Sequence, residues 1–253
     1  MMEDKIFGES GNNVVIEEFL TGPEVSVLSF TDGKTVVPMV SSMDHKRALD
    51  GDKGLNTGGM GTVAPNPYYT DDIAKECMEK IFIPTINAMN SENRTFKGCL
   101  YFGLMLTEKG PKVIEYNCRF GDPETQVVLP LLESDLLTIM QATTNGTLNE
   151  TQVKFKDGAA ACVVMASSGY PQKYESGFEL NIDKTVEDKV YVAGAKLDDG
   201  VLKTAGGRVL GVTATADDLK TALALAYENV KKVDFGNAFY RKDIGKKALE
   251  VLD

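Results

Sequence analysis

A chain of 253 residues with 43% hydrophobic content can bury one large core or two smaller ones, so a globular protein is expected. Its formal net charge of -10 argues against a nonspecific nucleic-acid binder, which clusters lysine and arginine on one face to meet phosphates. No amino-terminal stretch reads as a signal peptide and no apolar run approaches the ~20 residues that cross a bilayer, so no membrane partner and a cytoplasmic location are expected.

In chain order, the apolar run Val14-Val15-Ile16 leads into Glu17 and Glu18. Residues 25–30 and 36–40 flank Thr31-Asp32-Gly33-Lys34, a hairpin pattern that starts an antiparallel sheet. Gly33-Lys34-Thr35 is not a P-loop, because Leu28 stands where the earlier glycine belongs. Residues 41–69 are glycine-rich and polar, with Pro65 and Pro67, and read as one long functional loop. Within it, Gly58, Gly59 and Gly61 let the backbone approach an anion closely.

Thr70 is placed to cap a helix with Asp71 and Asp72 in its first turn, a buried stripe of Ile73, Met78, Ile81, Phe82 and Ile86, and a bend at Pro84. Residues 99–106 and 112–117 read as strands joined at Glu108-Lys109-Gly110, which puts Glu115 at the centre or the end of the sheet. Asp122 is expected to cap the next helix. Ser134-Asp135 opens another, with Leu136, Leu137, Ile139 and Met140 as apolar surface, and Asn145-Gly146 ends it.

The polar stretch 145–157 suggests a boundary near Lys156, dividing the chain into units 1–155 and 156–253. The second unit shows strands near 179–182, 190–195 and 208–212, then a helix over about 216–232 with Leu219, Ala222, Leu223, Ala226 and Val230 on one face. The fold class is α+β. Cys77, Cys99, Cys118 and Cys162 are widely spaced and read as reduced packing residues rather than a disulfide or metal framework. His45, the lone histidine, reads as a packing or locally bonded side chain without a catalytic role. Lys46, Arg47, Arg119, Arg208 and Arg241 are candidate islands of positive charge for small anions.

The most informative segment is Glu115-Tyr116-Asn117-Cys118-Arg119-Phe120-Gly121-Asp122-Pro123-Glu124. In a strand, Glu115 and Asn117 project from the same face and can share one hard cation such as magnesium, which prefers oxygen donors. Arg119 adds a planar, permanently charged fork suited to phosphate or carboxylate oxygens. A Glu-x-Asn pair alone is more often a solvated strand edge; the neighbouring residues change the balance.

Arg119-Phe120-Gly121-Asp122-Pro123-Glu124-Thr125-Gln126 resembles the signature of the glycinamide ribonucleotide synthetase (phosphoribosylamine-glycine ligase) family of ATP-grasp enzymes. Ile16-Glu17-Glu18-Phe19-Leu20, Asp44-His45-Lys46-Arg47, Asn56-Thr57-Gly58-Gly59-Met60-Gly61, Gly206-Gly207-Arg208-Val209-Leu210 and Arg241-Lys242-Asp243-Ile244-Gly245 agree in the same order. The resemblance covers essentially the whole chain.

It implies an ATP-grasp large subdomain, an antiparallel sheet with helices, followed by a small α+β carboxy-terminal domain. Residues 1–13 would correspond to the end of the small lid-like subdomain, so the chain is similar to the carboxy-terminal part of a longer synthetase. The family's Rossmann-like domain and its glycine-rich loop with lysine have no counterpart in the sequence, and an incomplete chain is the expectation.

The implied reaction joins glycine to 5-phosphoribosylamine through a glycyl phosphate, consuming ATP and giving glycinamide ribonucleotide, ADP and phosphate in purine biosynthesis. By the same resemblance Glu115 and Asn117 bind Mg2+ or Mn2+, Arg119 stabilises the acyl phosphate and Asp122 orients an ammonium or amine. Glu17, Glu18, Phe19 and Leu20 would lie against adenine, and Glu24 would accept from the ribose. Asp44, Lys46, Asn56, Thr57, Gly58, Gly59, Met60, Gly61 and Arg208 would receive phosphoribosylamine. The partners implied are small molecules, and the full-length protein is expected to be a monomer. The rival from another class is a non-enzymatic folded fragment that binds nucleotide or substrate weakly. Another ATP-grasp ligase, an aminoimidazole ribonucleotide carboxylase or a biotin carboxylase, is disfavoured by the two signatures occurring together.

Overall fold

Strand pairing dominates the first half of the chain in the computed structural model, which describes residues 8–252; part of the expected subdomain end, residues 1–7, and residue 253 lie outside the described residues. Strands β1 (Glu24–Thr31) and β2 (Val36–Pro38) form the expected hairpin, with Thr31 opposite Val36. Buried Asp32 closes its turn: the carboxylate accepts from the N–H groups of Lys34 at 3.0 Å and Thr35 at 2.8 Å, and from distant Leu148 at 3.1 Å.

Residues 41–69 are not one loop. β3 (Met43–Asp44), the small hairpin of β4 (Arg47–Leu49) and β5 (Lys53–Asn56), and β6 (Gly61–Ala64) divide them. Strands of two to four residues are too short for alternation to reveal. The Thr70 hydroxyl caps α1 (Asp71–Cys77) by accepting from the Ile73 N–H, and a π-helical turn, Met78–Phe82, leads into α2 (Ile83–Ser91). Pro84 sits in the first turn of α2, where a missing N–H costs nothing, so the irregularity is the π turn ahead of it. Ile81, Phe82 and Ile86 are buried against the sheet, with Ile73 and Met78 packed around them.

β7 (Gly98–Thr107) and β8 (Gly110–Asn117) complete a four-stranded antiparallel sheet in the order β2-β1-β7-β8. The strand carrying Glu115 is therefore an edge, not the centre. Its pairing shifts between Gly103 and Leu104, because Glu115 stands opposite Gly103 while Val113 stands opposite Leu104, leaving Ile114 as the extra residue of a bulge. The next helix, α3 (Thr125–Val128), has Glu124 rather than Asp122 at its cap position, and no side chain caps it. α4 (Leu136–Asn145) follows the expected chemistry: Asp135 accepts from the Thr138 N–H at 2.7 Å, and Gly146 ends the helix with φ 79°. Only part of its expected apolar surface is used, since Ile139 is buried but Leu137 and Met140 are exposed.

β9 (Ala159–Ser167) is buried along all nine residues. Beyond it come β10 (Asn181–Ile182), β11 (Val190–Val192), the hairpin β12 (Ala195–Asp198) and β13 (Val201–Thr204), then β14 (Arg208–Ala216). The expected helix is α5 (Leu219–Val230), capped by Asp218; it buries Leu219, Ala222, Leu223, Ala226 and Val230, and residue 216 ends the strand before it. β15 (Val233–Asp234), β16 (Ala238–Phe239) and α6 (Lys246–Leu252) close the chain. A second sheet runs β11-β14-β9-β6-β3, with β16 also on β9, so strands from either side of residue 156 share one ladder. No helix among the described residues is long and apolar enough to cross a membrane.

Burial pushes the Asp32 carboxyl up, but the N–H bonds from Thr35, Lys34 and Leu148 outweigh it and hold it below its ordinary value. Asp32→Ala is expected to lower stability by about 2–3 kcal/mol, read from the urea midpoint at unchanged slope. A depressed carboxyl stabilises above its unfolded value and loses that contribution as pH falls through the folded one. The difference between wild type and variant is therefore expected at neutral pH and should shrink below pH about 4.

Candidate functional site

Pairing of Asp44 with Thr62 brings the end of β3 over the first sheet, and a cleft of about 490 Å3 opens there, lined in part by Glu24, Asp44, Lys46 and Asn56. Lys46 Nζ lies 2.6 Å from Glu24 Oε2. Burial pushes the Lys46 ammonium down, but the bond to Glu24 and the charges of Glu24, Asp44 and Glu115 raise it overall, so it stays charged. The residue Asp44 is half-buried, yet its Oδ1 is fully enclosed and has no hydrogen-bond partner among the described residues. Burial and the neighbouring Glu124 carboxylate push the Asp44 carboxyl well above its ordinary range, against the pull of Lys46 and Arg208. Glu124, itself buried, accepts from the Tyr101 hydroxyl at 3.1 Å and from the Ser26 hydroxyl at 3.3 Å.

The glycine-rich segment lies beside this pair. Thr57 N–H and its hydroxyl both donate to the Lys46 carbonyl, at 2.7 and 2.8 Å, and Gly58 N–H donates to the Tyr170 hydroxyl at 3.1 Å. Arg208 Nη1 donates to the carbonyls of Gly58 at 2.6 Å and Asp122 at 2.8 Å, and lies 3.4 Å from Asp122 Oδ1. Arg208 thus braces the glycine segment against the turn that follows Arg119. Gly59 has φ 111°, and a Cβ there would stand 2.6 Å from Asp44 Oδ1 and 2.5 Å from the Pro123 ring, so only glycine fits. Met60 is fully buried behind it, and Gly61 lies opposite Val163 of β9.

Glu115 and Asn117 stand opposite Gly103 and Tyr101, on one face of β8, as their spacing predicts. A Cβ at Gly103 would come within 2.9 Å of Glu115 Cγ, so the absent side chain makes room for the glutamate. Glu115 is exposed and Asn117 half-buried. The Arg119 Nη1 donates to the Phe120 carbonyl at 2.9 Å beside them. Among the described residues no group of three or more His, Cys, Asp or Glu converges on a point. A carboxylate and an amide oxygen nevertheless fit magnesium, which keeps waters and phosphate oxygens in its shell.

The segment 17–20 stands apart from the cleft. Glu17, Glu18 and Phe19 are exposed, Phe19 at 90%, Leu20 is half-buried, and Val14, Val15 and Ile16 before them form no strand. Glu18 Oε2 lies 2.5 Å from Lys112 Nζ of β8, beside a hollow of about 140 Å3 that Phe19 and Leu20 also line. Cys77, Cys99 and Cys162 pack in the interior, whereas Cys118 is exposed, against the expectation for it.

Two residues take other places than a surface island or a passive filler. Arg241, grouped above with candidate anion contacts, is 2% exposed and paired to Asp243 and Asp52. His45 Nε2 accepts from the Gly245 N–H at 3.0 Å, so Nδ1 carries the proton and donates to the Gly61 carbonyl at 3.1 Å. Burial and the Arg241 charge push the imidazole down to about 4, which keeps it neutral near pH 7. Sequence reasoning missed Ser26, Tyr101 and Glu124. Only Glu124 had a signal, its place in the 115–124 motif; the other two are polar residues facing inward from strands.

Comparison with known proteins gives a consistent picture. The family model for the phosphoribosylglycinamide synthetase ATP-grasp (A) domain matches residues 1–125, and that for the C domain of the same synthetase matches residues 160–247. A phosphoribosylamine--glycine ligase of Clostridium acetobutylicum is 48% identical over 97% of this chain and 59% of its own length. The trifunctional purine biosynthetic protein adenosine-3 of Gallus gallus is 49% identical over 100% of the chain and 26% of its own length. Among solved structures, a phosphoribosylamine--glycine ligase of Thermotoga maritima superposes with TM-score 0.83 at 36% identity, covering 90% of this chain and 57% of that one. A biotin carboxylase of Campylobacter jejuni, with TM-score 0.61 at 12% identity over 88% of this chain and 48% of its own, shares the fold alone. The architecture is thus that of the ATP-grasp group. The chain spans about 59% of the length of the Clostridium relative.

Gly59→Ala is expected to displace Asp44 or Pro123 and to lower the melting temperature by several degrees, about 1 kcal/mol coming from the backbone alone. His45, depressed from 6.5 to about 4, contributes stability that is whole above pH 6.5 and is lost as pH falls toward 4. The wild-type melting temperature should fall across that window, by up to about 3 kcal/mol of stability. His45→Gln should show a flatter profile there.

Proposed function

Because the chain belongs to the phosphoribosylglycinamide synthetase family, we propose that it carries the residues for ATP-dependent joining of glycine to 5-phosphoribosylamine. The observation that carries this reading is that two motifs far apart in sequence pack together beside the cleft: a Cβ at Gly59 would meet both Asp44 Oδ1 and the Pro123 ring, and Arg208 bonds the carbonyls of both Gly58 and Asp122. The two motifs are close enough for the Glu115 charge to raise the Lys46 ammonium.

The glycine carboxylate attacks the terminal phosphorus of ATP, ADP leaves, and a glycyl phosphate forms. The amine of phosphoribosylamine then attacks its carbonyl carbon and phosphate departs. Both steps bring anions together, so catalysis requires positioning and charge neutralisation. Glu115 and Asn117 would hold Mg2+ or Mn2+, which when bound offsets charge on the phosphate oxygens. Arg119, exposed two residues beyond Asn117, would bring its guanidinium to the acyl phosphate. Asp122 presents a carboxylate to an ammonium or amine, and its contact with Arg208 holds it on that side of the turn.

On the sugar-phosphate side, Lys46 supplies a retained positive charge, Asp44 and Asn56 supply polar contacts, and the braced Thr57–Gly61 backbone offers N–H groups. Arg208 fixes that backbone and would face the phosphate through its remaining donors. Glu24, bonded to Lys46, would receive ribose hydroxyls, and residues 17–20 would cover adenine. We assign the catalytic half to residues 1–155 and the bracing half to 156–253, acting on small molecules, in the cytoplasm and as a monomer at full length.

Glu115→Ala is expected to abolish magnesium-dependent nucleotide binding; an unchanged magnesium titration of ATP affinity would remove the cation assignment. Arg119→Lys should lower ADP release by about a hundredfold with little change in nucleotide affinity, since the planar fork is lost while the charge remains. The assay supplies ATP, magnesium, glycine and freshly made phosphoribosylamine. Absence of both ADP release and magnesium-dependent ATP binding by the wild-type chain would overturn the proposal.

A further inference from the structure

Lys46 and Asn56 reach the cleft from the two ends of the β4–β5 hairpin, which pairs Arg47 with Asn56 and Leu49 with Lys53, is closed at its base by Thr57 on the Lys46 carbonyl, and carries one bond from Arg47 Nη1 to the Gly54 carbonyl at 2.9 Å. Its turn holds Gly51 at φ 69° and Asp52 at φ 52°, the latter an uncommon conformation for a residue with a side chain. Such a hairpin does not hold its shape unaided. Its turn is held from the far end of the chain.

The buried Arg241 guanidinium donates Nε to Asp243 Oδ1 at 2.8 Å and Nη2 to Asp243 Oδ2 at 2.9 Å. Its Nη1 donates to the Arg47 carbonyl at 3.1 Å and lies 2.9 Å from Asp52 Oδ1. Asp243 Oδ2 in turn accepts from the Gly51 N–H at 2.7 Å, and Lys242 N–H donates to Asp50 Oδ1 at 2.8 Å. Lys247 Nζ lies 2.6 Å from the second Asp52 oxygen. At the base of the hairpin, Gly245 N–H reaches His45. Asp52 and Lys247 themselves line the cleft.

A buried ion pair is weak support for stability, because apolar packing of equal volume does as well. This one is spent on the carbonyl and the turn of a surface hairpin, which sets conformation rather than adding core. The geometry points to Arg241 as a positioning residue for the sugar-phosphate side of the reaction: through Asp52 and Asp243 it fixes the hairpin so that Lys46 and Asn56 face the cleft. The ligand class, a ribose phosphate, rests on the function proposed above, whereas the mechanical tie does not.

The test uses Arg241→Lys and Asp52→Asn with ribose 5-phosphate as the probe. Asp52 lies nearer the surface and decides the matter should Arg241→Lys fail to fold. Calorimetric titration is expected to show affinity for ribose 5-phosphate weakened about tenfold, affinity for magnesium-ATP unchanged, and faster amide hydrogen exchange at Gly51 and Thr57. Unchanged probe affinity overturns the inference, and so does an equal loss of probe and nucleotide affinity, which would mark a general loosening. If the wild-type chain does not take the probe, the reading of the cleft falls, and exchange alone decides. Faster exchange confined to the hairpin then upholds the tie, and unchanged exchange at Gly51 and Thr57 overturns it.

Discussion

Burial of β9 on both faces is the constraint on which the rest depends. Its sequence, Ala159-Ala160-Ala161-Cys162-Val163-Val164-Met165-Ala166-Ser167, is apolar almost throughout, and successive side chains must point to opposite sides. Ala159, Ala161, Val163 and Met165 join the core under α5, while Ala160 and Cys162 join the core beneath α3 and the first sheet. Neither cluster can form without covering the other side of the same strand. β6 must therefore lie beside β9, and the cleft segment that leads into β6 is fixed with it. Gly61 marks how close that approach is, since a Cβ there would come 2.7 Å from the Cys162 carbonyl.

Charge follows the same logic at short range. The chain carries net charge -10, yet positive groups gather in and beside the cleft. It keeps them by pairing: Lys46 is held charged by Glu24, Asp44 and Glu115, and Arg208 is held by carbonyls and Asp122. The opposite strategy governs Asp44 and Glu124, two carboxyl groups packed together with few donors between them. Glu124 takes the Tyr101 and Ser26 hydroxyls, and Asp44 is left with one enclosed oxygen and a carboxyl that burial and Glu124 push above its ordinary range.

What the sequence made legible was local. Asp135 and Gly146 bound α4, Asp218 and five apolar positions define α5, and the hairpin at Asp32 follows from its turn residues; each signal lies within a few residues of its effect. The 115–124 motif was legible for the same reason, because two donors on one strand face need only a spacing of two. The strands between Met43 and Ala64 and the β12–β13 hairpin were hidden, being too short to show a period and, in the first case, rich in glycine. Cross-chain contacts left no trace at all. Ser26 meets Glu124 across 98 positions and Arg208 meets Gly58 across 150, and no local pattern in either partner announces the other. Arg241 was misread for that reason: an Arg beside Lys and Asp looks solvated until Asp52 is brought to it.

The placement of the oxygen donors follows from these constraints. An edge strand exposes unpaired backbone and is usually protected, and β8 carries a bulge at Ile114 and a charged residue, Glu115, just after it. The same features that blunt the edge also open it, because a central strand would bury Glu115 under a neighbour on each side. Gly103 opposite gives the carboxylate room, and Tyr101 opposite Asn117 reaches the buried Glu124 from the next position on that face. The oxygen donors and Glu124 thus lie on one face of the first sheet, and it is the second sheet, hung from β9, that brings Asp44, Lys46 and the glycine segment over them. Rigid strands set the spacing of the oxygen donors, while the β4–β5 hairpin is tied by charges supplied by the end of the chain.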